Sequence, residues 1–336
     1  MYNLHAFRSC LKPVRFLGAA SELIPVFLTN TSLTAHSHDP EVCGGPSIAL
    51  ASRTLATESR FPRKFGEKQD LFSKTGVPGI KNVVAVASGK GGVGKSTVAA
   101  NLAVALAQFP GVKVGLADAD VYGPSIPTLM NLAQSGEPSV DKAGLMVPKE
   151  NYGVKCMSMG FLLKAGAAAV WRGPMAMKAL NQIIFQTAWG PLDVLVVDMP
   201  PGTGDVQITV AQRCRLAGAV VVSTPQEIAL VDARRGITMF SQVGVPVLGL
   251  VENMAFFRCG GCSEQHFIFG RDGVSGIAAE SSVDVLGRVP LEEATRRDSD
   301  EGTPVVVRSP GSESAGVFRG IASGVLAKLG LSQERR

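Results

Sequence analysis

Runs of apolar residues that stop at glycines or acidic residues recur along the chain from residue 83 onward. Such runs are typical of buried parallel strands, which are apolar on both faces rather than alternating. Helical patterns fill most of the gaps, for example the alanine-rich segment 95–108 and the segment 232–243. The predicted strands cover residues 83–88, 113–120, 192–205, 217–226, 245–254 and 283–290. The range of the third strand includes the turn that ends it.

Strands that alternate with helices predict an α/β fold, with a mostly parallel sheet covered by helices on both faces. Ligands of such folds bind outside the carboxyl ends of the strands, so polar residues at those ends are candidates for function. The last stretch, residues 312–336, has the pattern of an amphipathic helix. We predict that it packs on the sheet, because its final basic pair is too little to anchor it to a membrane.

The first 64 residues differ in composition from the rest of the chain. They hold seven basic and four acidic side chains and are rich in serine and threonine, and Arg8, Lys12 and Arg15 are spaced to share one helical face. This composition is typical of an organellar transit peptide, and we predict import into the mitochondrial matrix. A disordered tail or a misplaced start of translation is the alternative. The predicted organisation is therefore a leader over residues 1–64 and one domain over residues 65–330.

Composition and charge reduce the number of protein classes to which the chain could belong. The 336 residues are 46% hydrophobic, which is enough for a folded core. Of the formal charge of +5, the leader contributes +3, so the domain carries no basic surface for nucleic acid. No apolar run approaches the length of a membrane span, and none is predicted. The six cysteines lack the dense spacing of a small secreted domain, which predicts a reduced compartment.

The stretch "SGKGGVGKST" contains the pattern G-x-x-x-x-G-K-S/T between a predicted strand and a predicted helix. Glycines allow several backbone N–H groups to converge on phosphate oxygens, and the helix N-terminus adds positive potential. We expect Lys95 to reach the β- and γ-phosphates and Ser96 to ligate Mg²⁺. The predicted nucleotide-binding loop comprises Gly89, Lys90, Gly91, Gly92, Val93, Gly94, Lys95, Ser96 and Thr97.

Three aspartates follow predicted strands. Asp118 and Asp120 end the second strand, and Asp198 ends the third. A carboxylate at a buried strand end can hold a Mg²⁺-bound water, which suits Asp198, and either Asp118 or Asp120 is expected to orient the water that attacks the nucleotide. A helix cap is the alternative for any single aspartate. The second loop lysine, Lys90, either contacts a neighbouring chain's nucleotide or is solvated, and sequence spacing alone does not decide between the two.

The segment "FFRCGGCSEQHFIFG" places Cys259 and Cys262 in a C-x-x-C turn. Two thiolates can bind one metal centre, but they are too few for a four-ligand site within one chain. A two-fold dimer would supply four. We interpret His266 as structural, with a role as third ligand as the alternative, and zinc as the chemical alternative to iron and sulfur. The other cysteines are assigned to the core (Cys156, Cys214) or the leader (Cys10, Cys43).

Several phrases resemble one known family. "KGGVGKST" resembles the deviant Walker A signature of the family that includes MinD, ParA and the nitrogenase iron protein. "DADVYGPSIPTLM", "VVDMPPGTGD", "STPQEIALVDARRG" and "HFIFG" resemble its Mrp/NUBPL branch of iron–sulfur carrier ATPases, from about residue 65 to residue 325. The resemblance implies that Lys90 acts across a nucleotide-sandwich dimer and that Asn253 contacts adenine, so that ATP is the nucleotide. It also implies that Cys259 and Cys262 hold a 4Fe–4S cluster between two chains.

The function that this resemblance implies is an ATPase whose homodimer carries a labile iron–sulfur cluster and delivers it to apo iron–sulfur proteins. Hydrolysis is expected to be slow and dimer-dependent, and respiratory complex I is the implied main client. The alternative is a nucleotide switch of the MinD/ParA kind without a metal cluster. Many relatives have proline directly after the first cysteine, whereas Gly260 and Gly261 stand here, which predicts a looser turn.

Overall fold

A computed structural model describes residues 74–162 and 173–331, so the predicted leader lies outside the described residues. The described residues fall within one compact unit that spans residues 66–336. The strands, numbered in chain order, are β1 (Ile80–Ala87), β2 (Val114–Asp118), β3 (Lys149–Asn151), β4 (Val154–Ser158), β5 (Leu192–Asp198), β6 (Gly218–Ser223), β7 (Val247–Asn253), β8 (Phe257–Arg258), β9 (Gln265–His266) and β10 (Val285–Val289).

Eight of these strands form a single sheet within the described residues, in the order β10-β7-β6-β1-β5-β2-β4-β3. All neighbours pair in parallel except β3, which runs antiparallel to β4 at the edge of the sheet. The two remaining strands, β8 and β9, form a separate antiparallel hairpin. The mostly parallel α/β sheet predicted from the sequence is therefore confirmed.

Helices cover both faces of the sheet. The long helices α1 and α9 pack against each other on one face, and α5 and α6 pack against each other over β6, β7 and β10. The helices are α1 (Lys95–Ala107), α2 (Ile126–Leu129), α3 (Gly173–Phe185), α4 (Asp205–Arg213), α5 (Glu227–Gln242), α6 (Gly273–Ser281), α7 (Glu293–Asp300), α8 (Val305–Arg308) and α9 (Glu313–Lys328), with a 3₁₀ turn at Met159–Phe161.

The centre of the sheet is dry because its strands are apolar on both faces. Residues 83–87 of β1 are all buried, and β1 pairs with β5 on one side and β6 on the other. This arrangement fits the continuous apolar runs in the sequence, since side chains on both faces of a central parallel strand meet helices. The carboxyl ends of β1, β2, β5 and β7 lie along one edge, where the polar candidates follow.

Four details of the sequence prediction change. The second strand ends at Asp118, so Asp120 lies in the loop beyond it, and the third ends at Asp198 before its Pro/Gly turn. Strands β3 and β4 and the β8–β9 hairpin were not predicted. Helix α5 begins five residues before the predicted helix. The C-terminal helix α9 buries Phe318, Ile321 and Val325 against the body, as predicted. Within residues 74–162 and 173–331, the helices lack the combination of length and hydrophobicity that a membrane span requires.

Candidate nucleotide and metal site

The phosphate-binding loop connects β1 to α1 and is shaped by its glycines. Gly92 and Gly94 have φ of +81° and +80°, a left-handed conformation that side chains disfavour. At Gly89 an added β-carbon would collide with the main chain of Asp232, so the loop lies directly against helix α5. The backbone therefore curls over the N-terminus of α1, as the sequence pattern predicts.

Lys95, Ser96 and Asp198 form a buried cluster beneath this loop. The Lys95 ammonium lies 2.6 Å from Asp198 Oδ1 and 3.1 Å from Ser96 Oγ, and it is only 6% exposed. Burial raises the pKa of Asp198, and the charge of Lys95 opposes that shift. The ammonium thus supplies the positive charge that a fully buried carboxylate requires. The second oxygen, Asp198 Oδ2, is buried without a hydrogen-bond partner among the described residues.

The two aspartates after β2 have different surroundings. Asp118 lies opposite Asp198 in the sheet register and is fully buried. Its carboxylate accepts hydrogen bonds from the backbone N–H of Asp120 and of Ile126 and from the Ser158 hydroxyl. Burial and the Asp198 charge raise its pKa to about 7. Asp118 Oδ2 therefore holds the start of α2 and the end of β4, while Oδ1 holds the backbone of Asp120.

Asp120, in contrast, faces the cavity above the loop. Its Oδ2 lies 3.8 Å from the Lys95 ammonium, and its Oδ1 accepts a hydrogen bond from the Gly123 backbone N–H. The cavity has a volume of about 260 Å³. It is lined by Ser88, Lys90, Gly91, Gly92, Gly94, Lys95, Ser96, Thr97, Asp120, Ser125, Leu129 and Pro201.

Of the predicted loop residues, two do not line this cavity, and Asn253 does not line it either. Gly89 packs on α5, and Val93 is buried beneath the loop. Asn253, at the end of β7, donates a hydrogen bond from its amide to the Val93 carbonyl at 2.8 Å. It lies so close to Gly94 that any side chain there would collide with it. Asn253 thus holds the phosphate-binding loop against the sheet.

Four residues of the cavity lining, Ser88, Ser125, Leu129 and Pro201, were not predicted from the sequence. Ser125 has a buried hydroxyl without a hydrogen-bond partner within the described ranges, and it lines the cavity. The sequence did contain a signal that could have identified three of them, because Ser125 and Leu129 belong to the family phrase "DADVYGPSIPTLM" and Pro201 belongs to "VVDMPPGTGD". Lys90 lies half-buried on the cavity lining, and among the described residues its ammonium forms no hydrogen bond or ion pair.

The cysteine pair lies on the β8–β9 hairpin, which leaves the sheet directly after β7. Cys262 is exposed and Cys259 partly exposed. The pKa of the Cys259 thiol is lowered by hydrogen bonds from the backbone N–H groups of Cys262 and Gly261 to the Cys259 sulfur. The turn is closed by the Cys259 N–H to the Glu264 carbonyl and the Ser263 N–H to the Cys259 carbonyl, both at 2.9 Å. A lowered pKa favours the thiolate form of Cys259, which is the form that binds metals.

The remaining described cysteines lie in the core, as predicted. Cys156 and Cys214 are buried, and burial raises the pKa of Cys214 to about 12. His266, interpreted from the sequence as structural with a ligand role as the alternative, lies near the cysteine pair: one ligand atom each of Cys259, Cys262 and His266 lie within 4.8 Å of one another. The cause is the hairpin register, in which His266 pairs with Phe257 and so returns to the cysteine turn.

Arg258 fastens this hairpin to the body of the protein. Its guanidinium makes two hydrogen bonds to the Glu313 carboxylate at the start of α9, of 3.0 and 2.9 Å. A third, of 3.1 Å, goes to the Ser263 carbonyl within the cysteine turn. The hairpin root is also tied to the sheet, because Ala255 N–H donates to the Val289 carbonyl. Only five residues separate Cys259 from Asn253, which contacts the phosphate loop.

A glycine-rich loop between a parallel strand and a helix, with acidic residues at neighbouring strand ends, defines a P-loop nucleoside triphosphatase. The family model for the NUBPL iron-transfer P-loop NTPases matches residues 79–326. The chain belongs to this family.

Named relatives and a solved structure agree. A protein of Arabidopsis thaliana described as a mitochondrial iron–sulfur protein required for NADH dehydrogenase is 56% identical over 251 residues, 75% of this chain and 80% of the relative. The mouse iron–sulfur cluster transfer protein NUBPL is 54% identical over 88% of this chain and 89% of its own. A nucleotide-binding protein of Archaeoglobus fulgidus in complex with ADP superposes with a TM-score of 0.62 at 39% identity, over 71% of this chain and 92% of its own.

Proposed function

We propose that this chain is an ATP-binding and ATP-hydrolysing carrier that holds a labile 4Fe–4S cluster and transfers it to apoproteins. The observation that carries the proposal is the exposed Cys259–Cys262 pair, on a hairpin rooted in the strand that contacts the phosphate loop. The names of the relatives support an iron–sulfur role, and the plant relative supports assembly of respiratory complex I as its setting.

The cargo is a cluster bound between two chains. Each chain offers two cysteine thiolates at its surface, and a 4Fe–4S cube takes four outer ligands. A two-fold homodimer brings two such pairs together, since an isologous interface places the same residues of both chains at the axis. A cluster at a subunit seam is accessible when the seam opens, which suits transfer to an acceptor.

The nucleotide is ATP, held by the loop residues 89–97 with Asn253 beneath them. Lys95 exchanges its bond to Asp198 for the β- and γ-phosphates when the nucleotide binds. Ser96 and Asp198 are the residues that would hold Mg²⁺, and they fit it, because the unpartnered Asp198 Oδ2 is a hard oxygen donor beside the hydroxyl. Mg²⁺ held there would supply positive charge that offsets the negative charge developing on the phosphates during hydrolysis.

Hydrolysis is assigned to Asp120 and Lys90. Asp120 faces the cavity, and its Oδ2 accepts no hydrogen bond among the described residues and so can orient the attacking water. Both oxygens of Asp118, in contrast, are engaged in structural hydrogen bonds. Lys90 has no partner among the described residues of its own chain, which supports a role at the γ-phosphate of a neighbouring chain. The rate is then slow in a monomer and rises with dimer formation.

The leader, residues 1–64, is proposed to direct the chain to the mitochondrial matrix, and residues 65–330 to form the ATPase domain with the cysteine hairpin as its insertion. The plant relative, which is named as mitochondrial, supports the compartment. A reporter fused to residues 1–64 is expected in mitochondria. Retention of that reporter in the cytosol, or its import into plastids, contradicts this assignment.

The experiment is a transfer assay under anaerobic conditions. The full-length chain is reconstituted with iron and sulfide and mixed with an apo-acceptor whose activity needs a 4Fe–4S cluster. Activation of the acceptor is expected from the wild type and not from Cys259→Ser or Cys262→Ser. Cys214→Ala is the matched control, because it removes a buried thiol away from the hairpin. ATP binding without any iron in the wild type would favour the alternative, a nucleotide switch of the MinD/ParA kind.

A further inference from the structure

His266 stands out on the hairpin because its ring contributes little to packing. The side chain is exposed, and its ring centroid lies 6.5 Å from that of Phe257, its cross-strand neighbour. Neither ring nitrogen takes part in a hydrogen bond among the described residues. The chain has four histidines, and the other three precede residue 40, so His266 is the one within the family match.

The bridging cluster does not need this histidine. Two chains offer six donors, four thiolates and two imidazoles, and a 4Fe–4S cube takes four outer ligands. Within one chain, in contrast, the two cysteines need a third donor before they resemble the three-ligand sites that hold a divalent ion with one open position. The histidine therefore has a use in the single chain that it lacks in the bridged dimer.

We propose that Cys259, Cys262 and His266 of a single chain form a three-ligand site for one thiophilic divalent cation, without a second chain. The inference shares two cysteines with the proposed cluster site but does not depend on the cluster. The fourth coordination position stays open to solvent or to a donor from another protein. The site gives the carrier a state in which the cysteines are protected before or after they share a cluster.

The geometry suits such an ion. The three ligand atoms already lie within 4.8 Å of one another. A tetrahedral ion with bonds of about 2.3 Å to sulfur and about 2.0 Å to nitrogen needs donors roughly 3.5 to 4 Å apart. The required closure is about 1 Å, within reach of side-chain rotation on an exposed hairpin. Two thiolates balance the charge of the ion, and the neighbouring Arg258 is already paired with Glu313.

Backbone hydrogen bonds also hold the ligands of the turn together. The Cys259 N–H donates to the Glu264 carbonyl and the Ser263 N–H to the Cys259 carbonyl, and Arg258 holds the Ser263 carbonyl of the same turn. Groups that orient ligands in this way typically change metal affinity by about 10- to 100-fold when they are removed. Removal of a ligand itself is expected to cost more.

The test uses Co²⁺ as the probe, added to the reduced, nucleotide-free, full-length chain at concentrations where it is a monomer. One Co²⁺ per chain is expected, with the visible absorption of a tetrahedral ion and thiolate-to-cobalt charge transfer. His266→Ala should lose the tetrahedral spectrum and bind more than about 100-fold more weakly. His266→Cys should restore tight binding, with stronger charge transfer from three thiolates. Gln265→Ala, the neighbouring change on the same strand, should behave as the wild type.

Equal Co²⁺ affinity and an equal spectrum in His266→Ala and Gln265→Ala would overturn the proposal. So would one Co²⁺ per two chains with dimer formation in the wild type, since that result indicates a site made of four cysteines. Iron–sulfur reconstitution of the same variants separates the two proposals. If the cluster assembles but Co²⁺ binding does not depend on His266, the carrier function stands and the single-chain site is refuted. If Co²⁺ binding depends on His266 but no cluster assembles, the carrier function alone is refuted.

Discussion

The buried pair between Lys95 and Asp198 makes a quantitative prediction. Lys95→Met keeps the side-chain volume but removes the charge that balances a carboxylate with 0% exposure. Removing one partner of a buried ion pair costs about 3–5 kcal/mol, because the remaining charge is buried without compensation. The carboxylate can escape part of this cost by taking up a proton. The free energy of unfolding of Lys95→Met should therefore be lower than that of the wild type by about 3–5 kcal/mol at pH 8. In mild acid the difference should fall toward the value of a single hydrogen bond, about 1 kcal/mol.

The assay is urea unfolding of the nucleotide-free protein, followed by tryptophan fluorescence, with Trp189 as a buried reporter. Lys90→Met is the matched control, since it removes a lysine whose ammonium has no partner within the described residues and should change stability by no more than about 0.5 kcal/mol. Adding Asp198→Asn to Lys95→Met should recover at least about 2 kcal/mol at pH 8. Equal stability of the two single lysine variants, or a double variant no more stable than Lys95→Met, would refute the reasoning.

Three further predictions follow from the same site. Lys90→Ala should keep nucleotide binding but lose the part of the hydrolysis rate per chain that rises with protein concentration; a wild-type rate that is independent of concentration contradicts this. Burial and the neighbouring charge raise the pKa of Asp118 from 3.8 to about 7, so its stabilising contribution is full below about pH 4 and is lost as pH rises through 7. The pH dependence of urea unfolding should therefore shrink in Asp118→Asn, and an unchanged difference between pH 5 and pH 8 rejects the shift. Arg258→Ala should leave the midpoint of urea unfolding nearly unchanged, because its pair with Glu313 is exposed, yet a chelator should strip the reconstituted cluster faster; equal stripping rates would show that Arg258 does not hold the cysteine turn.

The central strands could be predicted from the sequence because their apolar runs are uninterrupted. Strand β4 was not predicted because Lys155 interrupts its apolar pattern. In the structure the Lys155 ammonium donates a hydrogen bond to the Trp189 carbonyl at 2.7 Å, while the rest of the strand stays buried. Ser158 in the same strand is buried because it donates to Asp118. Buried polar residues with partners distant in sequence are invisible to a hydrophobic pattern. The β8–β9 strands of two residues each are too short to show any period.

The candidate site was likewise predicted from the sequence only in part. The phosphate loop is contiguous, so its pattern predicts nearly the whole set of residues. The different roles of Asp118 and Asp120 depend on contacts with β4 and α2, which the sequence does not reveal. The position of His266 depends on the register of a hairpin, and a shift of one residue would turn its side chain to the other face.

The central claim is that two chains share one cluster through their cysteines. Iron, sulfide and zinc per chain, measured on the full-length protein after anaerobic reconstitution, test it most directly. One 4Fe–4S cluster per two chains is expected in the wild type, and none in Cys259→Ser or Cys262→Ser with ATP binding retained. One tightly held zinc per chain, with no iron after reconstitution, would contradict it.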